Sequence, residues 1–173
     1  EAELLANSNI VPKQYRGQAS DIIAASLMGR DVGLSPFASL NYIHVIDGKP
    51  SLSAEAMVML ARRAHHSITG TTSRTGARVD GKRGDTGDQM TATFTNEDAQ
   101  AAGLLGGTNW KKYPQDMYWA RAVSALCRRL FPDVFLGAAY TADELGGQVT
   151  ADGEVIAAAI DYEEIDYQET VNA

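Results

Sequence analysis

Cysteine is almost missing from this chain of 173 residues: Cys127 stands alone, which excludes a disulfide framework and a thiolate-rich metal cluster. Long apolar runs are missing too. No stretch approaches the ~18 consecutive apolar residues of a membrane-spanning helix, so no membrane partner is expected. The opening residues EAELLANSNIVPKQ lack the basic start and apolar centre of a secretory leader, which points to the cytoplasm. A chain that opens on Glu rather than Met is expected to lack some upstream sequence.

Chemical motifs are also sparse. No G-x-x-x-x-G-K-[ST] cradle for nucleoside phosphates occurs. Serines are plentiful, yet none stands in G-x-S-x-G or S-x-x-K. The run DGKRGDTGD does not space its carboxylates as a calcium loop requires. His44, His65 and His66 are the only histidines. On a helix the adjacent pair points about 100° apart and cannot share a metal as an i, i+4 pair does. A pair at a helix C-terminus, where the dipole favours cations, is the expectation for them. Neither an ATPase nor a nuclease motif is present, no cofactor or metal centre is expected, and the protein does not read as an enzyme.

What is present begins with composition. With 45% hydrophobic and 21% charged residues, the chain fits one globular domain with a real core. The formal net charge of -7 hides a division. All 15 basic residues lie between Lys13 and Arg129, and the first 146 residues carry equally many acidic ones. The residues from 147 to 173 therefore hold the whole excess and read as an acidic, mobile extension behind a core over 1–146. A neutral body of this kind can bind a polyanion. The extension has three candidate roles: a solvated tail, a mimic of DNA folded on the core, or a docking segment.

Local signals set the organisation. Ile22, Ile23, Ser26, Leu27 and Val32 recur at helical spacing, with Gly33 as a C-cap. Pro36 suits the first position of a short second helix toward Tyr42. YIHVIDGKPSLS reads as a hairpin turning at Asp47-Gly48. Ser53 opens a third helix with Met57, Leu60 and Ala61 inward. SITGTTSRTGARV and MTATFT read as strands around a turn, and Thr95 or Asn96 caps a short helix. GLLGGTNWKKYP reads as a loop, and a long helix follows from Pro114 and stops before Pro132. This order predicts an α+β fold: a small antiparallel sheet with β-hairpins packed against several helices, one of them long and basic-faced.

On that long helix, Met117, Arg121, Ser124 and Arg128 line one stripe, while Ala120, Val123, Leu126, Cys127 and Leu130 line an apolar one. Arg121 and Arg128 stand two turns, about 10 Å, apart, a span that lets them track phosphates along a strand. Lys111 and Lys112 precede the helix beside Trp110 and Tyr113; basic groups interleaved with aromatics suit phosphate neutralisation and base stacking. The competing reading is structural. Arg128 and Arg129 favour a helix C-terminus, and Asp133 or Asp116 could hold the arginines in ion pairs.

Two stretches together resemble a known family. GRDVGLSPFASLNYIHVIDGKPSLSAEAMVMLARRAHH is similar to the segment of phage RecT/Redβ-family annealing proteins in which a G-L-[NS]-P turn leads into a hairpin and a helix ending in R-R. MYWARAVSALCRRLFPDVFLGAAYTADEL is similar to their C-terminal core helix and the ending that follows it. The resemblance spans roughly Val11 to Leu145. It implies a protein that coats single-stranded DNA and anneals complementary strands without ATP in phage recombination, inside a bacterial host. It further implies a homo-oligomer, ring or helical filament, that holds the annealed duplex and works beside a 5′→3′ exonuclease and the host single-strand-binding protein. Magnesium enters only as a modulator of annealing. Arg121 and Arg128 match the family's DNA-facing basic positions, and Lys111, Lys112 and Arg129 stand in the same basic region. Asn41, Tyr42 and Lys49 belong to the hairpin region near DNA or the next subunit, and Arg62 and Arg63 contact DNA or a neighbour. Two other classes stay open: a helix-based duplex-binding regulator, for which no helix-turn-helix spacing is present, and a phage assembly protein that multimerises without binding DNA.

Overall fold

The computed structural model describes residues 2–46, 48–149 and 155–156, which begin with helices α1 (Ala2–Ala6) and α2 (Ala19–Asp31). Gly33 follows α2 at φ +79°, the left-handed position expected of a C-terminal cap. Three hydroxyl groups then fix where helices start. Ser35 accepts the Ala38 N–H at 3.3 Å and opens α3 (Pro36–Tyr42), with Pro36 in its first turn. Ser53 accepts the Ala56 N–H at 3.2 Å and opens α4 (Ala54–Arg63). Between α3 and α4, β1 (Ile43–Ile46) pairs antiparallel with β2 (Lys49–Leu52). Gly48 has φ +72°, as the tight turn demands; Asp47 lies outside the described residues.

A second sheet follows, in the order β3 (Ser67–Ser73), β4 (Gly76–Lys82), β5 (Gln89–Thr95), all antiparallel. Thr95 and Asp98 form a capping box that starts α5 (Asn96–Ala101). The long helix α7 (Pro114–Leu130) lies across one face of this sheet, after the single-turn α6 (Thr108–Lys112) and before α8 (Pro132–Phe135). Glycine makes that approach possible: a Cβ at Gly81 would lie 2.7 Å from a Leu130 methyl carbon and 2.9 Å from one of Leu126. Val79, Ala92, Val123, Leu126, Met57 and Phe131 meet in one core that also takes in Ile43 and Leu52 of the hairpin. Two-residue strands β6 (Gln148–Val149) and β7 (Val155–Ile156) pair antiparallel. The fold is α+β, as the element order predicts; the greater part of the acidic extension lies outside the described residues.

One expectation needs correction and two gain detail. The stretch GLLGGTNWKKYP is not wholly a loop, because α6 forms within it around buried Trp110. His65 and His66 do follow the C-terminal end of α4, but it is their backbone N–H groups that serve its last carbonyls. His65 takes φ +61° just past α4, donating its N–H to Arg62 O while His66 N–H reaches Ala61 O, which makes the two residues a helix-ending motif. His66 then turns inward and stacks on Phe131 at 4.8 Å. Finally, Ile23 and Leu27 stand exposed, and α2 faces the core through Ile22, Ala25 and Gly29.

A non-glycine residue in the left-handed region is strained by roughly 1 kcal/mol. His65→Gly is therefore expected to raise unfolding free energy by about 0.5–1 kcal/mol, net of its extra unfolded-chain entropy, measured by urea denaturation.

Candidate functional site

The polar stripe of α7 does not face open water. It faces the segment from Ala138 to Gly147, which runs back along the helix. Arg121 donates from Nε and Nη2 to one oxygen of Asp143, at 3.0 and 2.7 Å, and its Nη1 lies 3.9 Å from Glu144. Arg128 grips Glu144 with both terminal nitrogens, at 2.9 and 3.2 Å, and donates to the Ala139 carbonyl at 2.9 Å. Ser124, fully buried between them, accepts from Arg128 and directs its one hydroxyl proton toward Glu144 or Ala139 O, the latter 3.0 Å away. Each guanidinium has an aromatic ring beneath it: Phe94 at 5.8 Å for Arg121, and Tyr140 at 4.6 Å for Arg128.

Glu144 is the hub. Its side chain is 9% exposed, and it also accepts the Thr141 N–H at 2.9 Å and the Thr141 hydroxyl at 3.2 Å. Burial raises the pKa of such a group, but the bonds from Arg128, Ser124 and Thr141 outweigh it and hold the carboxyl below its ordinary range. Thr141 in turn accepts the Glu144 N–H at 3.4 Å. This reciprocal T-x-x-E pairing has the geometry of a capping box and begins one residue ahead of Ala142, the cap position of the 3-10 turn Asp143–Leu145. The arginines' partners are thus Asp143 and Glu144, and neither Asp116 nor Asp133 serves.

Asp133 belongs to a different clasp. Arg83, in the β4–β5 loop, grips Asp133 at 2.6 and 2.8 Å and Asp85 at 2.9 and 2.6 Å, and donates to Leu130 O at the end of α7 at 3.0 Å. Ligand atoms of His66, Asp85 and Asp133 lie within 4.8 Å of one another. Their donors are already committed: His66 Nδ1 accepts the Gly84 N–H at 3.1 Å, and Arg83 takes both carboxylates. With the Nδ1 lone pair so used, a neutral imidazole carries its proton on Nε2, so this set does not fit a metal ion.

The remaining candidate residues divide by exposure. Lys111, Lys112, Arg129, Lys49, Arg62 and Arg63 stand exposed, Arg62 with a bond to Ile68 O at 3.3 Å. Asn41 is exposed and bonded to Phe37 O at 3.1 Å, and Tyr42 is half-buried against the core. Trp110 overturns its expectation as a stacking platform. It is 4% exposed and packs against Tyr118 at 5.2 Å and Phe94 at 6.1 Å, so no base can reach its ring faces. Cys127 is fully buried, and burial pushes its thiol up to about 12, as befits a small core residue.

No protein-family model, no curated protein and no solved structure matches this chain.

Breaking one side of the network leaves a buried anion short of its strongest partner. Arg128→Ala should lower unfolding free energy by about 2 kcal/mol, with Arg128→Lys intermediate because an ammonium lacks the two-pronged grip. Because the folded pKa of Glu144 lies below its unfolded value, its contribution is complete above pH 4.5 and fades as pH falls further. Urea midpoints between pH 3 and 7 should show that loss in the parent chain and much less of it in Glu144→Gln.

His44, whose Nδ1 lies 2.9 Å from Gln14 Nε2, is held neutral by burial, with a pKa lowered to about 4. Its folded pKa lies below its unfolded one, so stability falls as pH drops from 6.5 toward 4. A proton NMR titration of the imidazole should place its midpoint near the lower figure.

Proposed function

We propose that this protein binds single-stranded DNA and anneals complementary strands without ATP, as an oligomer, in phage recombination. The observation that carries the reading is the pairing of two guanidinium groups of the α7 stripe, Arg121 and Arg128, with two carboxylates of the facing segment, Asp143 and Glu144. A planar guanidinium grips a carboxylate and a phosphate by the same two-pronged geometry. The stripe is therefore an anion site whose present occupants are side chains of the chain itself, and DNA phosphates take it by displacing Asp143 and Glu144. Lys111, Lys112 and Arg129 add exposed charge at the two ends of the α6–α7 region. Elements α3–β1–β2–α4 and then α7 are formed by the two stretches that carry the resemblance to the RecT/Redβ family. Phosphate contacts leave base edges open, so Watson–Crick pairing tests the sequence. A 5′→3′ exonuclease, the host single-strand-binding protein and a cytoplasmic setting belong to this reading, and magnesium acts only on the DNA.

A second reading is favoured by the same network: an assembly protein that multimerises without DNA, in which Arg121 and Arg128 serve only to fasten residues 138–147. Mixing the protein with two complementary dye-labelled oligonucleotides at ~50 and ~200 mM salt separates the two. Annealing faster than in buffer, and lost at the higher salt, is the expected result. The variant Lys111→Ala/Lys112→Ala leaves the network whole and should flatten the log–log salt slope by about 0.7 for each phosphate contact removed. Absence of DNA binding at both salts leaves the assembly reading.

A further inference from the structure

Among the described residues, both edges of the sheet β3-β4-β5 lack a partner strand, although Arg62 occupies the β3 edge at Ile68. A two-residue turn, Arg74-Thr75, joins β3 to β4, so Ser73 and Gly76 form the closing pair. Alternation along the ladder then turns the backbones of Ser67, Thr69, Thr71 and Ser73 toward β4, and those of Ile68, Gly70 and Thr72 away from it. The Arg62 bond to Ile68 O confirms the outward direction. On the other side, Asn96 N–H bonds Thr75 O and Arg83 N–H bonds Asp88 O, which aligns the odd-numbered residues of β4 with β5. Gln89, Thr91 and Thr93 accordingly direct their N–H and C=O groups outward. Among the described residues, nothing bonds the backbones of Gly70, Thr72, Gln89, Thr91 or Thr93 on their open side.

Edge strands in natural proteins are blunted by lysine, proline, bulges or covering elements. Neither SITGTTS nor QMTATFT contains a charge or a proline, and each is seven residues long without a break in its pairing. Their uncovered faces match as well: Ser67, Thr69, Thr71 and Ser73 on β3, Gln89, Thr91, Thr93 and Thr95 on β5. Adjacent hydroxyl rows of this kind pair favourably across strands, here through Thr69 and Thr71 on β3 and Thr93 on β5, since Ser73, Thr91 and Thr95 already bond within their own chain. On the helix-facing side of the β5 edge, Met90 remains 36% exposed beside α7, an apolar side chain that a docked strand covers.

We propose that β3 of one copy adds to β5 of a second copy of this chain, continuing one sheet through successive subunits. Both strands run antiparallel to β4, so copies placed side by side in the same orientation pair them in parallel. Such a contact joins unlike surfaces and closes into a ring or extends as a filament. It needs no DNA, so it stands or falls separately from the annealing reading.

Sedimentation velocity without DNA, over a hundredfold range of protein concentration, tests it with two variants. Thr93→Pro blocks the β5 edge and Thr72→Pro the β3 edge, each at a residue whose N–H points away from β4, where proline is tolerated. The parent chain is expected to form multimers, each variant to remain monomeric, and their equimolar mixture to form dimers and nothing larger. A parent chain that stays monomeric, or a Thr93→Pro chain that assembles like the parent, overturns the proposal. Amide hydrogen exchange on the unaltered chain gives a readout free of folding defects in the variants. Gly70, Thr72, Thr91 and Thr93 amides should slow as multimers form. Unchanged exchange in the multimer places the interface elsewhere, and protection in the monomer assigns the edge to the chain's own remaining residues; either result overturns it.

Discussion

Glu144 is a carboxylate placed where water hardly reaches, and much of the molecule is arranged around keeping it ionised there. An isolated charge so situated is costly by several kcal/mol. Here it is surrounded by the Arg128 guanidinium, the Thr141 N–H and hydroxyl, and Ser124. These groups come from two pieces of chain that local folding alone does not join, α7 and the segment after α8. Fastening them has a longer reach, because that segment also receives the Leu52 N–H on Tyr140 O at 2.8 Å. Ala142 and Leu145 pack with Ile46 of β1. One buried anion thus ties the long helix to the β1–β2 hairpin.

The opposite face of α7 is held by shape. Small residues on the sheet, Ala77, Val79, Gly81 and Ala92, give the helix a shallow bed, and a Cβ at Gly70 would come within 3.0 Å of the Trp119 ring and closer still to the β4 backbone. The C-terminal end is capped from outside the helix by Arg83 on Leu130 O. Helix α7 is consequently fixed on its sheet face, on its polar stripe and at its end. That fixity keeps Arg121 and Arg128 half-withdrawn, with 15% and 30% of their side chains exposed, while Arg129 remains at the surface.

The parts legible in the sequence are those decided over a few residues. Ser35-Pro36, Ser53 and Thr95 mark helix starts because a hydroxyl needs only a neighbouring N–H, and Asp47-Gly48 marks a turn because Gly48 tolerates its φ. The stripe of Arg121, Ser124 and Arg128 also follows from helical period alone. What escaped depends on distance. Asp133 and Asp116 lie near the arginines in sequence, yet their carboxylates are not the partners; Asp143 and Glu144, up to 22 residues away, are. A local signal for that segment existed in the capping-box pattern Thr141-x-x-Glu144. Trp110 was illegible for a similar reason: lysines and glycines around it read as loop, whereas burial against Phe94 and Tyr118 is set by strands and a helix elsewhere. His65 could not be foreseen as left-handed, since the helix-ending motif usually employs glycine.

The latch on Arg121 and Arg128 changes what counting cations would imply for a polyanion ligand. A phosphate that reaches this stripe replaces a carboxylate instead of filling an empty site, so its net gain is the difference between two charge-assisted pairings. Asp143 and Glu144, if displaced, would stay tethered to the same chain and act as competitors at high effective concentration. Salt screens the exposed lysines and the phosphates far more than it screens a pair with a 9% exposed carboxylate. Under the annealing reading, the first contacts of a strand would therefore fall to the exposed Lys111, Lys112 and Arg129, and engagement of the stripe would follow only when enough of them are made together. Under the proposed reading, subunits sharing one strand would cross that threshold cooperatively, because each neighbour would hold the backbone in place for the next exchange.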